Sequence, residues 1–326
     1  MPFLNPPDVL PEAMRFIVRV LLARGEPVSE EELLKLVAPL GLVEAISGTD
    51  SEPARTGRPV DFKTGGRTIA EKSLAAMRNA GLLSQETRGD RLVTVASPIQ
   101  QGFPTWQAVT APAFAAFLRR ISLASTRDLL DDNVESGGAE DLAFAVALLF
   151  SMPNPLQPIA SFEPGAEKTL ADYQTEQFGD DIGNWIVRNG ERYAPLLRWV
   201  TYLGFGRILN LGRGRSGLLL VDPSEALRHL AVPLLDSQTR IADFLVRLGS
   251  AMPYSDQGGI GASLRGRLRE EPTDDSLSPG LALGLQVLYL RKELQLTLLS
   301  DAESMAFPID VGRVLRYSHI GPGSSQ

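Results

Sequence analysis

The chain has 326 residues, 44% hydrophobic and 22% charged, with a formal net charge of −7 and no cysteine. That is apolar material for one large core or two to three small ones, and it excludes a disordered chain, a disulfide framework and a thiolate zinc site. The opening "MPFLNPPDVLPEAMRF" lacks the charged start and apolar run of a secretory signal, and no apolar stretch reaches the length of a membrane span without a charge, so a cytoplasmic protein with no membrane attachment is expected.

The first hundred residues read as helix, helix, helix, hairpin. In "EAMRFIVRVLLAR", Met14, Ile17, Val18, Leu21 and Leu22 recur at helical spacing, and Gly25 stops the run. Ser29 and Glu32 form a capping box that starts a second helix, which ends near Pro39 and Gly41. Thr68 and Glu71 form another, starting a third helix with Leu74, Met77 and Leu82 inward and Gly81 as its stop. "LLSQETRGDRLVTVAS" then alternates as two short strands around Arg88-Gly89-Asp90. This order resembles a winged helix-turn-helix over residues 9–97. One departure stands out: between the second and third helices lies a basic loop, residues 47–68, far longer than the three or four residues of a standard turn.

The pattern returns twice. A helix through Leu196, Leu197, Val200 and Leu203 leads to Gly204, the strand "RILNL", the stretch "GRGRSG" and the strand "GLLLVD". GRGRSG fits the glycine spacing of a dinucleotide loop, but such a loop lies between a strand and a helix N-terminus, whose amides hold the pyrophosphate. Here a strand follows, so the stretch reads as a hairpin tip carrying Arg213 and Arg215. The acidic middle, with a buried helix in "LAFAVALLF" and a polar helical segment, supplies the early helices of this unit. A third candidate runs from "TRIADFLVRLGSAMPYSDQGG" through the helix ending at Leu290 to strands "LQLTLL" and "MAFPI", and the tail "RVLRYSHIGPGSSQ" reads as polar and frayed. The expected fold is mainly α with short β-hairpins, as tandem winged helix-turn-helix units: an N-terminal unit at 1–97, a helical region with a second unit at 98–230, and a third unit with the tail at 231–326.

No constellation for catalysis emerges. His229 and His319 stand some ninety residues apart without a partner at metal-ligand spacing, and His229 in "EALRHLAV" reads as a helix-surface residue. G-x-S-x-G and the P-loop pattern are both missing. Asp131 and Asp132 with Glu140 and Asp141 read as a solvated loop and a helix N-terminus rather than a metal site. A non-enzyme without cofactor or metal is expected.

The charge distribution points instead to nucleic acid. From Arg55 to Arg91 there are eight basic residues against four acidic, and from Trp185 to Gly217 six against one, whereas Ile121 to Asp181 holds twelve acids against two bases. In a winged helix the third helix enters the major groove and the wing touches the adjacent backbone. The candidate contacts are Arg55, Arg58, Lys63 and Arg67 in the loop and its end, and Lys72, Ser73, Arg78 and Asn79 on the third helix. Arg88 and Arg91 stand at the first wing, and Arg192, Arg198, Arg213 and Arg215 in the second unit. Arg and Asn suit base edges, and Lys suits phosphates. The rival readings are a protein–protein scaffold built on the same modules and a transcriptional regulator.

The phrases "FLNPPDVLPEAMRFIVRVL", "RWVTYLGFG" and "RYSHIGPG" resemble the DpdG proteins, bacterial accessory proteins of the system that places 7-deazaguanine bases in DNA and restricts unmodified DNA. The resemblance implies a non-catalytic, double-stranded-DNA-binding partner of other subunits in a defence assembly. It transfers no active-site residue.

Overall fold

The computed structural model describes residues 3–4, 8–38, 62–86, 92–121, 139–159, 169–209, 218–269 and 273–323. The chain divides into two compact units, Met1–Phe117 and Leu118–Gln326. Among the described residues, both are mainly helical with short antiparallel strands.

In the first unit, α1 spans Pro11–Arg24. Proline at its first turn costs no hydrogen bond and presets φ, and Gly25 closes it at φ 69°, its N–H on the Leu21 carbonyl. Strand β1 is only Val28–Ser29, and α2 (Glu30–Val37) follows with the Ser29 hydroxyl accepting from the Glu32 N–H. Next come α3 (Phe62–Asn79) and the strands β2 (Leu83–Glu86) and β3 (Leu92–Val95), then α4 (Ser97–Gly102) and α5 (Ala111–Ile121), whose residues from Leu118 on belong to the second unit. β3 pairs with β2 on one side and β1 on the other, so the strand order is β1-β3-β2. Met14, Ile17, Val18 and Leu21 of α1 pack with Leu33, Leu74, Met77 and Val93 in a core from which water is excluded.

Two sequence expectations change here. α3 starts at Phe62, so Thr68 is mid-helix rather than an N-cap, and Glu71 pairs with Arg67 one turn back at 2.8 Å. The hairpin is part of a three-stranded sheet, because β1 adds a strand too short to carry any periodicity. The expected hairpin tip at 88–90 lies outside the described residues.

The second unit repeats this order of elements twice. First come α6 (Glu140–Ser151), a single bridge at Ile159, α7 (Leu170–Phe178), α8 (Gly190–Tyr202), β4 (Gly206–Leu209) and β5 (Leu218–Val221). β5 pairs with β4 and, across Leu219, with Ile159, which gives the order Ile159-β5-β4. Then come α9 (Ser224–Leu230), β6 (Thr239–Arg240), α10 (Ile241–Ala251), an additional α11 (Gly259–Arg265), α12 (Pro279–Leu290) and β7 (Leu294–Thr297). β8 (Met305–Asp310), β9 (Arg313–Tyr317) and β10 (His319–Pro322) complete it. The strand order is β6-β10-β7, while β8 and β9 form a hairpin inserted between the two partner strands, with one parallel bridge from Ala306 to Ser276.

This corrects the reading of the C-terminal region. "MAFPI" is not the return strand of "LQLTLL": that role belongs to β10, inside the stretch expected to fray. Ile320 is buried and the strand is the middle one of its sheet, so it is held on both edges.

Each recurrence ends its third helix the same way. Gly81, Gly204 and Lys292 take left-handed φ of 68°, 73° and 62°. The N–H of the following residue then reaches back five positions: Leu82 to the Met77 carbonyl, Phe205 to Val200, Glu293 to Leu288. This closure satisfies orphan carbonyls and turns the chain directly into a strand.

Candidate nucleic-acid interface

The third helix of each recurrence is the natural place to look for a reading surface, since its inner face is fixed by the core and its outer face is left over. On α3, Ala70, Ser73, Leu74, Ala76 and Met77 are buried. Arg67, Glu71 and Asn79 are exposed, with Lys72, Ala75 and Arg78 intermediate.

Ser73 requires a correction. It is fully buried, and its hydroxyl accepts the Leu10 N–H at 3.3 Å, so it belongs to the core and ties the lead-in of α1 to α3. Arg78 is half-buried and lies 2.6 Å from Glu30 at the start of α2. Arg67 spends its charge on Glu71. Among the described residues of this helix, Lys72 and Asn79 stay on the outer side without an ion pair. Lys63 lies in the first turn of α3, its side chain outside the described set. Arg55, Arg58, Arg88, Arg91, Arg213 and Arg215 all lie outside the described residues.

The N-terminus of α2 carries three acids, each paired: Glu30 with Arg78, Glu31 with Lys35 at 2.7 Å and Glu32 with Arg24 at 2.7 Å. The hydrogen bond from Lys35 lowers the Glu31 pKa, followed by its Coulombic attraction. Here the acids suit the helix dipole and meet a ring of cations.

On α8, Arg198 is exposed and Arg192 half-buried. Burial lowers the Arg192 pKa, and the neighbouring charge of Arg188 adds to this, against an opposing pull from Asp141. Asn189 caps this helix through the Arg192 N–H. Sequence reasoning passed over Arg188, which is exposed, and Arg207, which sits 2.8 Å from Asp222 on the hairpin. It also passed over Arg119, fully inside the second unit, whose Nη1 donates to the Leu203 carbonyl at the end of α8 at 2.7 Å. Burial lowers its pKa. Arg207 and Arg119 had no periodic or spacing signal, because each is defined by a partner distant in sequence, whereas the Arg188 Nε donates to the Trp185 carbonyl three residues back. The strands flanking GRGRSG are antiparallel partners in the register Gly206↔Val221 to Leu209↔Leu218, so a strand and not a helix follows the stretch.

Glu140 and Asp141 lie at a helix N-terminus as expected, in the first turn of α6, where both are buried and the Asp141 carboxylate accepts the Leu142 N–H at 2.9 Å. Asp131 and Asp132 lie outside the described residues. His229 is a helix-surface residue as expected, its ring 3.1 Å from Glu225. Among the described residues no group of three His, Asp or Glu side chains is placed to hold a metal ion, and no helix is long and apolar enough to cross a membrane.

The family model described as DpdG-like matches residues 1–302. The chain belongs to the DpdG-like family. The match takes in the first unit and most of the second, including all three recurrences of the helix and strand order up to β7. Comparisons with curated proteins and with solved structures gave no match. The resemblance in the opening and "RWVTYLGFG" phrases of this DpdG-like chain therefore pointed to the right family.

Proposed function

We propose that this DpdG-like protein is a non-catalytic, duplex-DNA-binding component of a bacterial DNA modification and restriction assembly, built from three winged-helix modules at residues 11–95, 140–221 and 224–322. The observation that carries the reading is the order β1-β3-β2 behind α1, α2 and α3: a short first strand, two helices and a hairpin whose return strand sits between the other two. In a winged helix that arrangement places the third helix outward and the hairpin beside it, the geometry used to enter a major groove and hold the flanking backbone. Lys72 and Asn79 on α3, with Arg192 and Arg198 on α8, are the contacts whose helices the arrangement presents. The arginines at 213 and 215 belong to the same proposal through the hairpin that β4 and β5 form. Membership of the DpdG-like family supports a role within the Dpd modification system.

A protein–protein scaffold is the second reading. It is favoured by the three glutamates at the start of α2, where a phosphate would approach, and by the internal pairing of Arg67 and Arg78.

Duplex titration across salt concentrations separates the two. Each phosphate contact contributes about −0.9 to the slope of log affinity against log salt. The full chain should show a slope of about −4 or steeper, and Lys72→Ala with Arg198→Ala should flatten it by about two contacts while weakening all sequences alike. Binding that is flat between low and moderate salt overturns the DNA reading and favours the scaffold.

A further inference from the structure

Registering the three third helices on their left-handed closing residue aligns Ala75 of α3, Arg198 of α8 and Gln286 of α12, each six residues before it. This is an outer position. Ala75 is partly exposed and Arg198 exposed, but Gln286 is buried, with 8% of its surface accessible. The cover comes from the chain itself. Tyr317 on β9 donates its hydroxyl to Gln286 Oε1 at 3.2 Å and lays its ring 6.1 Å from that of Tyr289, one turn further along. Phe307 on β8, fully buried, meets Tyr317 edge-on at 5.1 Å. The hairpin is also tied to the segment just before α12: the Ala306 N–H reaches the Asp275 carbonyl at 2.7 Å, and the Leu277 N–H reaches the Ala306 carbonyl at 3.0 Å. Arg316 on β9 clasps Asp275 at 2.6 Å.

Sequence and electrostatics agree with the packing. α12, "PGLALGLQVLYL", has no charged residue, whereas α3 and α8 have several. A groove of about 860 Å³ beside the insert is lined by Asp243, Asp274, Asp275, Asp301 and Glu303 against Arg240 and Arg316, an excess of negative charge that repels phosphate.

We propose that the β8–β9 hairpin is an intrachain cover that closes the reading face of the third module, so that nucleic acid is confined to the first and second modules. The cover itself stands on the packing above; its consequence for nucleic acid rests on the DNA reading. Where a winged helix has an open outer helix face, this one has had its occupant built in between its two wing strands.

The chain has no cysteine, so one introduced thiol reports alone. In the full-length protein, Gln286→Cys should react with a maleimide at least about tenfold more slowly than Ala75→Cys, because labelling must wait for the hairpin to lift. Adding Tyr317→Ala should restore most of that rate, and Tyr317→Phe, which keeps the ring, should restore little. Should Gln286→Cys lose the cooperative melting of the parent, hydrogen exchange at the Ala306 and Leu277 amides replaces it: slow exchange that Tyr317→Ala speeds supports the cover, and fast exchange in the parent removes it. Saturating duplex should slow Ala75→Cys and leave Gln286→Cys unchanged. Labelling of Gln286→Cys as fast as Ala75→Cys removes the cover. Added protection of Gln286→Cys by duplex with Tyr317 in place removes the confinement. If duplex protects neither site and binding is insensitive to salt, the DNA reading fails while the labelling rates still decide the cover.

Discussion

The first and third recurrences share one plan and differ in what lies over the third helix. Both place a two-residue strand before their second helix, close the third helix with a left-handed residue and seat the return strand in the middle of three. In the first, five residues separate the partner strands β2 and β3, and α3 keeps a polar outer face. In the third, residues 298–318 intervene, fold into β8 and β9, and bury Gln286. Strand order therefore fixes where a third helix points but not what it touches. The contact is decided by the length and apolar content of the loop between the partner strands.

Removing an apolar anchor of the insert should have the largest effect. Phe307 is fully buried and stacks edge-on with Tyr317. Phe307→Ala should cost about 3–5 kcal/mol, from lost transfer energy and a cavity. A fall in the urea midpoint at unchanged slope would register it. A shift below about 1 kcal/mol would mean that the hairpin is not packed on the third module, and the comparison would collapse.

Two carboxylates of the third recurrence sharpen the contrast through pH. Asp256, between α10 and α11, is buried and accepts the Ser278 N–H at 2.7 Å at the head of α12, with Arg265 Nη1 3.3 Å away. Burial raises its pKa, opposed by Arg265 and by the Ser278 hydrogen bonds. A carboxyl whose folded pKa is raised contributes stability that is fully present below its ordinary value and lost as pH rises through the folded value. Asp275 is the opposite case: the hydrogen bond from Arg316 lowers its pKa, so its contribution is present above the ordinary value and lost as pH falls through the folded one. The stability of the parent relative to Asp256→Asn should thus decline with rising pH, and relative to Asp275→Asn it should increase. Denaturation midpoints of the three proteins across the acidic range test both signs at once; equal signs would show that the two groups do not have the environments drawn here.

Much of the first recurrence was legible in the sequence. The stripe through Met14, Ile17, Val18 and Leu21, the stop at Gly25 and the strands around residues 87–91 all follow from periodicity and turn chemistry. The start of α3 was not, because Thr68 and Glu71 satisfy a capping pattern while "FKTGGR" contains two glycines, which argue against helix by propensity. Ser73 looked exposed by composition and is buried by packing, since a small hydroxyl can bond a backbone N–H inside a core. The first strands of all three recurrences, β1, Ile159 and β6, are one or two residues long and give no period to detect. The third recurrence was misread at β8 because alternation identifies a strand without identifying its partner.

The closing residue of the third helix distinguishes the recurrences most finely. Gly81 and Gly204 are glycine at positive φ, but the third has Lys292 at 62°. A left-handed conformation costs a residue with a Cβ roughly 1–2 kcal/mol, and glycine avoids this at an entropic cost of about 0.5–1 kcal/mol. A Cβ at Gly81 would meet nothing within 4 Å, so Gly81→Ala should cost about 1 kcal/mol, the strain alone. At Gly204 the same Cβ would also approach Glu225 Cβ at 3.1 Å, and Gly204→Ala should cost more. Lys292→Gly runs the other way: strain relief outweighs or matches the entropy, so it should be neutral or stabilise by up to about 1 kcal/mol. Urea midpoints of the three variants provide the test, with the expected ranking Gly204→Ala, Gly81→Ala, then Lys292→Gly at or above the parent. A clear loss in Lys292→Gly would mean that the lysine side chain itself holds the third recurrence closed, and that the shared backbone turn is not the reason this helix ends where it does.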